Sequence, residues 1–192
     1  MTYYGGKELA EAFRTVRKNT LKIAKEIPED KYGFRAAEGT RTVAELLTHI
    51  ANADRFHQAI TLAGKNSLEG FNFQEFMAGM MAEMSKQRSK AELIALLTAQ
   101  CDKFAAQLEG CTEEFLGQIV TMPPGGSPPQ RSRFDMLMSV KEHEMHHRGQ
   151  LMLMQRMMGL KPHLTRDAEA RMAAMAATPP DPNAVSSAPL VR

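Results

Sequence analysis

The sequence predicts an all-α protein, a four-helix bundle, on three observations. Apolar residues recur with a helical period in four long stretches, and strand signals are weak everywhere else. Helix-stopping Pro or Gly residues close those stretches. The 192 residues fit one domain, long enough to bury a sizeable core without staples. Hydrophobic residues make up 43% and charged residues 24%, the balance of a globular chain rather than a disordered one.

The first helix is expected from about Lys7 to Ile27. Leu9, Phe13, Val16, Thr20 or Leu21, Ala24 and Ile27 form its stripe, and Pro28 stops it. After the loop YGFRAAEGTR, Thr42 with Glu45 forms a capping-box pattern that opens the second helix. Val43, Leu46, Leu47, Ile50, Ala53, Phe56 and Ile60 give its inward face, and Gly64 is the expected stop. In the 65–87 segment, GKNSLEGFNF reads as loop and QEFMAGMMAEMSK as a short extra helix weakened by Gly79. Ser89 with Glu92 opens the third long helix, striped by Leu93, Leu96, Leu97, Cys101, Phe104 and Leu108 and ended by Gly110.

TMPPGGSPPQ is a turn too rich in Pro and Gly for a helix or a central strand. The fourth long helix runs from about Arg131 to Met158, stopped by Gly159 and Pro162. From about Asp167 the chain turns Ala-, Pro- and Ser-rich. A frayed helix over 168–176 and a disordered tail are expected there, which gives a bundle domain over 1–165 and a tail over 166–192.

Composition removes several functions. A net charge of +2 without a basic block gives no footprint for nucleic acid. No stretch is apolar enough to cross a membrane, and the N-terminus lacks signal-peptide form, so a cytoplasmic location is expected. Cys101 and Cys111 make no disulfide framework and no CxxC motif, and are read as reduced and structural. Fifteen Met and no Trp favour core filling over a Met-lined substrate pocket.

The histidines carry the chemistry. His143 and His147 stand four apart on one helical face, so their imidazoles can chelate one ion. His49 lies in the apolar stripe of the second helix, where an unpaired ring is costly. The blander accounts are a hydrogen-bonded core histidine at 49 and a polar surface at 143 and 147. Against the second, Val140, His143, His147, Leu151 and Met154 share one largely apolar side. Helical bundles place metal sites between facing helices, and three inward histidines favour such a site. The stretch His143-Glu144-Met145-His146-His147 also matches the zinc-protease motif HExxH. Glu169 is the only carboxylate suitably placed downstream for a third ligand, and no edge strand for substrate is apparent, so that reading is set aside.

Three stretches resemble the DinB / YfiT-like family of bacterial metal-binding four-helix bundles. They are YGFRAAEGTRTVAELLTHIANAD, SKAELIALL and FDMLMSVKEHEMHHRGQLMLMQRMMG, within a resemblance spanning roughly residues 7–162. The resemblance implies His49, His143 and His147 as ligands of one divalent ion, zinc or nickel first, with cobalt, iron or manganese as alternatives. His146 then is a packing or supporting residue, not a ligand. Gly149 within the motif implies close approach of a helix or ligand. His57 is expected at the surface or rim, and His163 in a loop without a role. Glu144 is a weak candidate for a catalytic base and is more simply read as a surface residue.

Three imidazoles leave coordination positions open, the arrangement of catalytic sites. The resemblance then implies a thiol transferase using a low-molecular-weight thiol and a small-molecule substrate. Its alternatives are a metal-dependent hydrolase with water as nucleophile and a non-catalytic metal- or ligand-binding stress-response protein. It also implies a homodimer.

Overall fold

The computed structural model describes residues 4–122 and 125–177. Helix α1 (Gly6–Glu26), α2 (Val43–Ala51) with its short continuation α3 (Arg55–Ala59), α5 (Lys90–Glu109) and α7 (Arg133–Met157) are the four members of the bundle. Helix α4 (Phe73–Met84) is the expected extra helix between the second and third members. A short helix α6 (Glu113–Gly117), a two-stranded hairpin and a final helix α8 (His163–Ala177) complete the described chain. None of these helices is long and apolar enough to cross a membrane.

Capping fixes where the bundle helices start. Thr42 accepts from the Glu45 amide while Glu45 reaches back to the Thr42 amide, and Ser89 and Glu92 repeat the arrangement at α5. Lys90, the first residue of α5, donates to the carbonyls of Lys25 and Ile27. It thereby closes the carbonyl end of α1, where a cation also suits the helix dipole.

Two apolar clusters fill the interior. One joins Ile23, Ala24 and Ile27 of α1 to Leu46, Leu47 and Ile50 of α2, Leu93 and Leu97 of α5, and Leu151 and Met154 of α7. The other joins Leu9, Ala10 and Phe13 to Phe104, Ala105 and Leu108 and to Leu137 and Val140. The end of α1 thus meets the start of α5 and the end of α7, so α5 runs against α1 and α7 runs with it. Between the clusters lies a polar level. Arg17 of α1 and Glu144 of α7, 2% and 1% exposed, form an ion pair there.

Several boundaries differ from the sequence reading. The second helix does not run unbroken to Gly64; it breaks after Ala51. Asn52 turns its side-chain amide onto the Thr48 carbonyl, and Asp54 accepts from Gln58, so local side-chain bonds compete with the helical ladder. The Pro/Gly turn is framed by strands β1 (Ile119–Thr121) and β2 (Gln130–Ser132), antiparallel with Val120 opposite Arg131. Arg131 therefore belongs to β2. The fourth long helix begins at Arg133, with Ser132 capping it through the Asp135 amide.

The last helix starts at His163, before the expected 168 and across the 165/166 boundary. His163 is no idle loop residue: it is buried and hydrogen-bonds Asn19 of α1 at 3.1 Å, tying α8 to the bundle. The expected disordered tail falls mainly on residues 178–192, outside the described residues. The methionines divide. Met136 and Met154 are core, as expected, whereas α4 buries none of its residues and leaves Met77 and Met81 exposed. Both cysteines are free thiols.

Candidate metal centre

α2 and α7 face each other, and from this pair come the three predicted histidines. His49 sits in the last turn of α2, on the same helix as the core residues Leu46 and Ile50. His143 and His147 lie one turn apart on α7, beside the level of the Arg17–Glu144 pair. The three imidazoles converge. His143 Nε2 stands 2.9 Å from His49 Nε2 and 3.1 Å from His147 Nε2, and the three offer donor atoms all within 4.8 Å of one another. Their rings meet edge to face.

Proton bookkeeping makes this cluster unusual. A neutral imidazole nitrogen is either a donor or a single lone pair, so His143 Nε2 cannot form two good hydrogen bonds with both neighbours. A shared cation satisfies all three lone pairs together. His147 Nδ1 lies 2.8 Å from Gln150 Oε1. An amide oxygen only accepts, so Nδ1 carries the proton and Nε2 presents its lone pair, the tautomer a metal ligand needs. Burial pushes the imidazoles of His49 and His143 down to about 4, and that of His147 downward too. The charge of Arg41 and the neighbouring histidines act in the same direction, while at His147 the Gln150 hydrogen bond opposes burial without reversing it. All three rings are therefore neutral near pH 7, as ligation requires. The donor set fits one divalent ion, and among the described residues no carboxylate or thiol joins the group.

The family follows from the chain as a whole. The model of the DinB superfamily matches residues 12–151. The chain belongs to the DinB superfamily. The uncharacterized protein YjoA of Bacillus subtilis is 25% identical over 152 residues, which cover 79% of this chain and 90% of that protein. The crystal structure of YjoA superposes with a TM-score of 0.58 at 24% identity over 79% of this chain and 92% of that one. Bacillus subtilis YfiT superposes with a TM-score of 0.63 at 13% identity, covering 84% and 91%. That structure is described as "a probable metal-dependent hydrolase with an unusual four-helix bundle topology".

Around the triad this DinB-superfamily chain departs from the sequence reading in several places. Glu144 is not a surface residue. Both of its oxygens accept from Arg17 Nε, at 2.9 and 3.0 Å, while Arg17 Nη1 donates to the Leu97 carbonyl at 2.7 Å. Arg17 itself was missed. The signal was present, since residue 17 stands four after Phe13 and three before Thr20 on the apolar face of α1, where a charge needs a partner. His146 is exposed, with its Nε2 3.2 Å from Gln150 Nε2. A chain of bonds thus runs from His146 through Gln150 to His147.

A Cβ added at Gly149 would meet nothing within 4 Å, so no close approach explains that glycine. Glu169 pairs with Lys161 at 2.7 Å, exposed on α8. With Glu144 held by Arg17, neither carboxylate takes the place that the protease motif assigns to it. His57 is a rim residue: half-buried, it lines a cavity of about 370 Å³ together with His49 and His143. Burial pushes it down to about 4, and its Nδ1 lies 3.3 Å from Thr61 Oγ1.

Proposed function

We propose that this protein holds one divalent ion through the Nε2 atoms of His49, His143 and His147 and uses it to transfer a low-molecular-weight thiol to a small-molecule substrate. The observation that carries the reading is the convergence of three neutral imidazoles with no fourth side-chain donor among the described residues. Such a set leaves coordination positions open, as in catalytic rather than structural sites. A divalent ion there supplies Lewis-acid activation of a nucleophile at neutral pH.

The residues around it favour a thiol over water. Glu144, the carboxylate adjacent to His143 in sequence, is occupied by Arg17. A nucleophile that ionises on coordination without a protein base suits the site, and a thiol does so. Gln150 fixes the tautomer of His147, and a largely apolar cavity lies beside His49 and His143. Zinc or nickel is the expected ion, with cobalt, iron or manganese competing by supply. A homodimer is the expected assembly, since two-fold pairs are the commonest oligomers. A second reading, a hydrolase with water as nucleophile, draws on the description of YfiT.

The test is metal content, then thiol response. Wild type is expected to carry about one ion per chain, lost in His49→Ala, His143→Ala and His147→Ala and kept in His146→Ala. Cysteine-like thiols should then change the visible spectrum of the cobalt-loaded protein. Turnover of simple esters or amides without any thiol would move the assignment to the hydrolase, and a wild type that binds no added zinc or nickel would end both readings.

A further inference from the structure

Two cavities that reach the triad differ in character. A cavity of about 690 Å³, lined by Arg35, Arg41, Glu45 and Leu153, touches the triad through Gln150, behind His147. The cavity of about 370 Å³ is walled by His49 and His143 themselves. Its remaining wall is largely apolar: Ala53 of the turn after α2, Phe56 of α3, Phe76 and Met80 of α4, and Val140 of α7.

Phe76 and Met80 stand four apart and so present one face of α4 to the cavity. The rings of Phe56 and Phe76 meet edge to face with centroids 5.9 Å apart, and Phe71 and Phe73 extend the same aromatic cluster. Aromatic walls of this kind prefer a ring as their occupant, through further edge and offset contacts. Asn52, 1% exposed and also in the wall, has an amide oxygen without a partner among the described residues. Its amide nitrogen is committed to the Thr48 carbonyl, so the free atom is an acceptor. An unpaired buried acceptor in a cavity wall is a place where another molecule completes the bonding. An apolar space with a few polar groups is the usual form of a small-molecule site.

We infer that the cavity between α2, α3, α4 and α7 is the substrate subsite, and that it selects small molecules carrying an aromatic ring, with Phe76 and Met80 as the selecting residues. The inference rests on the metal reading, since the ring must lie beside a group coordinated at the triad. It adds the substrate class and assigns α4, which contributes no buried residue to the core, to specificity.

Two metal-binding probes of different body separate the claims. Acetohydroxamate and benzohydroxamate carry the same chelating head, and only the second carries a ring. Titrated into the cobalt-loaded protein and followed by visible absorption, benzohydroxamate should bind about tenfold or more tightly than acetohydroxamate, the scale of apolar-pocket discrimination. Phe76→Ala and Met80→Ala should each remove most of that advantage while leaving acetohydroxamate affinity and cobalt stoichiometry unchanged. Equal affinities in a wild type that binds cobalt normally would overturn the inference alone, as would an advantage untouched by both variants. A protein that binds no cobalt would overturn the metal reading and this inference with it.

Discussion

Glu144 shows how one residue's role is set by what it touches. Its neighbours in sequence are a candidate ligand and the rest of an HExxH string, yet its carboxylate faces α1 and meets a guanidinium between two apolar clusters. A buried pair contributes little net stability over an apolar replacement, because desolvating both charges offsets their attraction. Removing one partner is different, since it strands the other charge. Arg17→Met is therefore expected to lose about 3–5 kcal/mol, read from urea unfolding, and the double variant Arg17→Met/Glu144→Leu should regain most of it. A single variant as stable as wild type would show that the pair is not desolvated. The histidine cluster was legible because i, i+4 spacing and an apolar stripe are local patterns. The Arg17–Glu144 pair was not, because its two halves lie 127 residues apart: Arg17 on the apolar face of α1 announces a buried charge, but nothing local says which residue answers it.

At the scale of elements, the bundle is held in register by contacts that spacing does not reveal. Gly6 opens α1 against the end of α5. A Cβ there would run into the carbonyl oxygens of Leu108 and Cys111, the latter at 2.7 Å. Both are backbone atoms and cannot rotate away, so Gly6→Ala must shift the start of α1 or the end of α5. A cost of about 1–3 kcal/mol is expected, visible as an earlier thermal midpoint. Gly149→Ala, with open space around it, should instead be neutral or stabilising by up to about 1 kcal/mol through helix propensity. If the two substitutions behave alike, the close contact at Gly6 is absent in solution. Sequence reading placed its one close-approach glycine at 149 and gave none to Gly6. It had only helical position to judge by, and the obstacle at Gly6 comes from a segment about a hundred residues away. The break after Ala51 and the β1–β2 hairpin escaped for a related reason. Asn52 and Asp54 read as polar positions on a helix, and strands of three residues are too short to show a period.

For the whole molecule, the proposed function makes the triad a clamp as well as a site. His49 and His143 lie 94 residues apart in the chain, so an ion shared between them joins α2 to α7 and exists only when the bundle has closed. Binding to the folded state alone stabilises by mass action, about 2.7 kcal/mol when free metal stands at a hundred times its dissociation constant. For a chain of this size each kcal/mol moves the midpoint by roughly 2–4 °C, so a chelator should lower the thermal midpoint of the loaded protein by about 5–10 °C. His49→Ala leaves two ligands on one helix and no link between helices. Its midpoint should scarcely respond to zinc or chelator, although His143 and His147 remain. Equal responses of wild type and His49→Ala would place the ion on α7 alone and leave the α2–α7 contact to apolar packing, which Leu47, Ile50, Leu151 and Met154 already supply.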